Sequence, residues 1–157
     1  MAEKPTAEEI ALWQRRLASQ ANNRAWTLAE QPSRSAEEDE EMLQAAHAAM
    51  HFWKITGNEK HRANAAQLVA HAYALLRLPV PASHYLAKAL PVVLSDEAEP
   101  LQRAFAHAIA ANVAAVGGDD AAHREHYRSA VELAATLPEQ DRDVLELTLR
   151  VIPAPVA

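Results

Sequence analysis

The stretch from Ala63 to Asp96, ANAAQLVAHAYALLRLPVPASHYLAKALPVVLSD, constrains the fold of this chain more than any other. It spells two helices folded against each other across the turn Leu78-Pro79-Val80-Pro81, because proline removes a backbone donor and clashes with a preceding helical turn. Small residues stand where two helices must touch, at Ala70, Ala82 and Ala89. Bulky ones fill the seam between them, at Leu68, Tyr73, Leu76, Tyr85 and Leu86. A second, looser copy runs from Ala104 to Leu137. This pattern predicts an all-α chain of antiparallel helices.

Composition agrees. Half of the 157 residues are hydrophobic and alanine is abundant, while glycine occurs only three times. Alanine has the best helix propensity and lets helix axes approach closely. The length suits one domain with a real core, read here as residues 1–152 with a flexible tail at 153–157. Cysteine is absent, which excludes disulfides, thiolate metal sites and thiol chemistry. No run of apolar residues is long enough for a membrane span, and the N-terminal MAEKPTAEE carries no apolar signal core, so a cytoplasmic location is expected. The net charge of −6 argues against nucleic acid, whose phosphates favour a basic face.

Along the chain, Thr6 with Glu9 forms a capping box that opens the first helix. Its inner stripe is expected at Ile10, Trp13 or Leu17, Ala21, Ala25 and Leu28. Trp26 lies off that stripe, on a second face with Asn22 and Asn23. Ser35 with Glu38 opens a second helix, whose acidic run Glu37 to Glu41 suits a helix N-terminus and whose apolar stripe runs from Met42 to Trp53. A third helix is expected from Glu59 to Leu78. A fourth starts at Ala82 and is ended or kinked by Pro91, and a fifth is capped by Ser95 or Asp96. Gly117-Gly118-Asp119 closes the fifth helix with a left-handed glycine. A sixth helix carries Tyr127, Ala130 and Ala134, and a seventh covers 139–151 as a cap.

Ala70, Tyr73, Ala82, Leu86 and Ala89 match the spacing of small and large residues in a tetratricopeptide repeat, and Gly118-Asp119, Tyr127 and Ala130 match part of it again. The chain thus resembles a TPR-like helical repeat protein, with degenerate repeats at about 63–96 and 104–137. His123 departs from the pattern where a small alanine is usual, and the Trp and Leu-Gly of the first repeat helix are missing. The N-terminal half is similar to small bacterial TPR-like proteins through Asn22-Asn23-Arg24-Ala25-Trp26, Glu37-Glu38-Asp39, Met42-Leu43, Ala45-Ala46-His47-Ala48 and Trp53. The resemblance implies a right-handed helical array holding a peptide or protein in a groove, but fold alone does not fix function.

Eight histidines stand out. His47, His71 and His107 recur in Ala-His-Ala settings, each read on the flank of an apolar stripe as a seam residue. His47 and His51 are one helical turn apart, the spacing that lets two imidazoles share a metal. Helical metal sites add carboxylates, and Ala48 follows His47, so the metal reading of this pair is weak. His123 is expected to face inward and bond to Asn112, since buried polar groups are normally paired, while His126 points outward. In the N-terminal half, Asn22, Asn23, Trp26, His47, His51, Trp53, Arg62 and Asn64 are candidates for one pocket recognising a planar or anionic group. The rival reading makes them the polar edge of a helix seam.

No serine lies in a G-x-S-x-G or S-x-x-K context, and no glycine-rich phosphate loop is present. No catalytic residue and no cofactor is therefore assigned. The expectation is an interaction module that binds a protein or peptide through a face carrying His71, Asn64 and Arg62. The alternative is a small-ligand or metal protein, with enzymatic activity open, built on the His/Trp/Asn cluster. Alanines 104, 111 and 115 on the fifth helix are read as an outer face able to form a homodimer.

Overall fold

The computed structural model describes residues 3–157 and is all-helical, without a strand among the described residues. Seven helices follow in order: α1 (Ala7–Ala29), α2 (Ala36–Thr56), α3 (Glu59–Leu75), α4 (Pro79–Val93), α5 (Pro100–Gly117), α6 (Asp120–Thr136) and α7 (Glu139–Leu149). Among the described residues no helix is long and apolar enough to cross a membrane.

Local signals set most of the boundaries. Both capping boxes form, with Thr6 and Ser35 accepting from the backbone N–H of Glu9 and Glu38. Gly118 ends α5 in the left-handed conformation, at φ 78°, which glycine adopts without Cβ strain. Three boundaries differ from the sequence expectation, two of them because of proline. The fourth helix starts at Pro79 instead of Ala82, and the fifth at Pro100 after Glu99 instead of at a Ser95 or Asp96 cap. Proline at the first helical position gives up only an N–H that would lack a helical partner anyway. The third helix stops at Leu75, short of Leu78, and Arg77 takes a positive φ of 58° in the turn. Pro91 falls in the last turn of α4, which ends at Val93.

The odd-numbered helices touch in succession, α1 to α3, α3 to α5 and α5 to α7. Each even-numbered helix packs against the two odd ones that flank it in sequence. The core runs between these rows. Leu28, Met42, Leu68, Ile109 and Leu145 are fully buried, with alanines filling the close approaches between them. Burying each such large side chain contributes about 1.5–3 kcal/mol.

Two expectations fail at the periphery of the core. The stripe of α1 is not an inner one along its whole length: Ile10, Trp13 and Leu17 are 41%, 50% and 44% exposed, and burial begins only at Ala18. The reason is position, because α1 is the end of its row and no helix lies on its far side. Conversely, Ala104 and Ala111 are not an outer face. Both are fully buried against α6 and α7, so a dimer through them is excluded.

Candidate functional site

The residues singled out in the N-terminal half do not converge on one pocket. They divide between two clefts on different sides of α3, and one is in neither.

The first cleft, of about 740 Å³, lies between α1, α3, α5 and α7, with the end of α2 at its rim. Asn22, Asn23 and Trp26 come to it from α1, Trp53 from α2, and Asn64 with Gln67 from α3. Leu101, Gln102 and Phe105 face them from α5, and Val144 from α7. Trp26 is not merely off-stripe. Its indole is half-buried and lies against Phe105 edge-on at 5.6 Å and against His71 at 5.9 Å. Trp53 stacks flat on His61 at 4.2 Å. Amides dominate the polar lining: Gln102 donates to the Asn64 Oδ1 at 2.8 Å. The Gln67 Oε1 is buried without a hydrogen-bond partner, the kind of group that an apolar setting penalises by a kcal/mol or more (about 1–3). Two carboxylates, Glu30 and Glu99, also line this cleft, and no Lys or Arg does. Burial raises the Glu30 carboxyl above its ordinary range, against the pull of Arg150.

The second cleft, of about 700 Å³, lies between α2, α3 and α4 and gathers His47, His51, Lys54, Arg62, Tyr85 and Lys88. His47 shares a 2.8 Å hydrogen bond between its Nε2 and the Tyr73 hydroxyl, and burial lowers its pKa. His51 is exposed and rests edge-on against Phe52. With one ring nitrogen of His47 occupied by a tyrosine, the pair is poorly set to chelate. Among the described residues no group of three His, Cys, Asp or Glu side chains is placed to hold a metal ion. Arg62 donates to the Gly57 carbonyl.

His71 stands apart from both clefts and corrects two expectations. It is fully buried, so it cannot belong to an exposed binding face. It is also the partner of Asn112, whose amide donates to His71 Nδ1 at 3.3 Å. Asn112 therefore does not pair with His123. His123 instead donates from Nε2 to the carbonyl of Pro153 at 2.7 Å, which ties the start of the tail expected to be flexible onto α6. His126, expected to point outward, shares a 3.0 Å hydrogen bond with His107. Burial, with a smaller contribution from Arg34, holds the His71 pKa at about 3, so this imidazole is neutral across the physiological range.

Sequence reasoning missed Gln67, Gln102, Phe105 and Val144 as lining of the first cleft, and Lys54, Tyr85 and Lys88 of the second. For the first set no local signal exists, because the cleft is assembled from four helices of one row. The Lys88 of α4 was legible in principle, one turn beyond His84 and Tyr85 on an exposed face. Compared with protein families, curated proteins and solved structures, the chain matches none.

Proposed function

We propose that this chain is an interaction module of TPR-like type that holds an extended peptide in the cleft between α1, α3, α5 and α7. The observation that carries the reading is the amide lining of Asn22, Asn23, Asn64, Gln67 and Gln102, with the buried Gln67 Oε1 left without a partner beneath it. An amide side chain both donates and accepts, which is what a peptide backbone in extended form demands of its neighbours. Trp26, Leu101, Phe105 and Val144 supply an apolar seat for peptide side chains, in keeping with aromatic anchors at interfaces. Glu30 and Glu99 line the cleft and no Lys or Arg does; Arg150 acts on Glu30 from outside the lining, and the two carboxylates together favour a peptide carrying a basic residue.

The test is a peptide array probed with the purified chain, followed by titration of the best binders. Basic peptides should dominate, and Gln67→Leu should weaken them by about tenfold, the scale of one lost hydrogen bond to a buried group. An array with no binder, or binders indifferent to Gln67→Leu and Trp26→Ala, would sink the proposal.

A second reading, a small-ligand protein, rests on the other cleft. Lys54, Arg62 and Lys88 converge there with a single carboxylate, Glu59, and among the described residues none of the three cations is in an ion pair. Unpaired cations in one cleft suit a small anion such as a phosphate ester. Thermal stabilisation by inorganic phosphate or pyrophosphate, abolished in Arg62→Ala, is the expected sign. A melting curve unmoved by either anion removes this reading.

A further inference from the structure

We infer that the chain forms a two-fold homodimer through the outer edge of the α1–α2 hairpin. In a row of stacked helices the outermost faces meet solvent and are normally polar. The far end of this row obeys that rule, with Glu139, Gln140, Asp143 and Glu146 exposed on α7. The near end does not. Ile10, Trp13 and Leu17 follow helical spacing along one exposed face of α1. The bidentate Arg24–Glu41 pair fixes how α1 and α2 lie side by side. Because the two helices run antiparallel, that pair sets Ile10 level with Ile55, Trp13 with Phe52 and Leu17 with Ala48. Ile55 is 52% exposed and Phe52 half-buried. The edge is therefore one continuous apolar strip across two helices.

The charges beside the strip select a second copy as its occupant. Glu9 and Arg16 flank the strip on the same side of α1, away from α2, and lie seven positions apart. When two copies of α1 pair antiparallel about a dyad beside Trp13, Glu9 meets the partner's Arg16 and Arg16 meets the partner's Glu9. Glu9 is already held rigid, with one carboxylate oxygen on the Thr6 backbone N–H at 2.8 Å.

This register also explains where the strip ends. The partner's α1 then begins opposite Ala18, so each copy is covered from Ala7 to Ala18. Every exposed apolar residue of the strip on α1 falls inside that span, and Gln20 and Arg24 fall outside it. On α2 the same dyad covers the last two turns, which hold Phe52 and Ile55 and leave Gln44 and Glu41 in solvent. The overlap is about 18 Å of helix on each α1 and about 12 Å on each α2, a four-helix interface with its ion pairs at the rim. The residues that α1 gives to the peptide cleft, from Ser19 to Glu30, lie outside the covered span.

Analytical ultracentrifugation of the untagged full chain at low salt, from about 1 to 100 μM, tests this. The wild type should sediment as a dimer in that range, and Trp13→Glu as a monomer with unchanged far-ultraviolet helix signal. Arg16→Glu should weaken the dimer roughly tenfold, through like charges in two symmetric places. Glu9→Arg combined with Arg16→Glu should restore it. A wild type monomeric throughout overturns the inference, as does a dimer indifferent to Trp13→Glu. Failure of the charge-reversed pair to recover any affinity overturns the antiparallel register.

Discussion

The first half of α1 and the middle of α3 are opposites in fate. From Ala7 to Leu17 no residue of α1 is buried, although its Ile10, Trp13 and Leu17 have the spacing of a core stripe. Between Ala63 and Ala74 only Asn64 and Tyr73 escape full burial, although α3 there carries Gln67 and His71. An amphipathic pattern tells which face of a helix seeks cover. It does not tell whether cover exists. In a row of helices the neighbour on each side decides that, and α3 has α1, α2, α4 and α5 around it.

The sharpest way to break this comparison is to shorten one leucine in each region. Leu68→Ala should cost about 2–5 kcal/mol in urea unfolding, since the site is fully buried and a cavity would remain. Leu17→Ala, measured in dilute solution where the monomer dominates, should stay within about 0.5 kcal/mol of wild type. Equal losses would mean that α1 is covered after all.

The polar centre of α3 makes a second difference, in acid. His71 has a folded pKa of about 3, below the ordinary value of about 6.5, so the unfolded chain takes up the proton first. Its contribution is complete above pH about 6.5 and is lost as the pH falls toward 3. By pH 5 the loss should be about 2 kcal/mol. Burial lowers His47 and His107 too, which adds to the same trend. Denaturation midpoints between pH 7 and 5 should show the slope, and His71→Gln should flatten most of it. An unchanged slope in that variant would place the acid sensitivity elsewhere.

A smaller effect is expected at the corner between α2 and α3. A Cβ on Gly57 would stand 2.7 Å from both the Trp53 carbonyl oxygen and the His61 Cβ. Gly57→Ala should therefore cost about 1 kcal/mol or somewhat more by overpacking, read as a lowered melting temperature. A neutral result would show that the α2–α3 corner yields easily.

What the sequence made legible follows the reach of each signal. Capping boxes, the Gly118 turn and helix number were readable because caps and glycine act over three or four residues. The alanine seam of α3 and α4 was readable because hairpin partners are adjacent in the chain. Partners further apart were not: Asn112 bonds His71, 41 positions away, not the nearer His123. The amide cleft stayed hidden for the same reason. Asn22, Asn23, Trp26 and Asn64 were named correctly as neighbours, but Gln102 and Val144 come from helices far along the chain. His47, His51 and Arg62 were grouped with them because α2 and α3 present side chains to two sides, and helical spacing alone does not separate those sides.

The three tryptophans give this molecule a built-in set of optical reporters, one for each question raised above. Trp13 is solvated on the α1 edge and should shift its emission to the blue when two copies meet. Trp26, pressed against His71 and Phe105, should respond to whatever enters the amide cleft. Trp53 lies flat on His61, so its emission should report whether the α2–α3 corner stays closed. Three single Trp→Phe variants would separate assembly, occupancy and opening of the corner without any label.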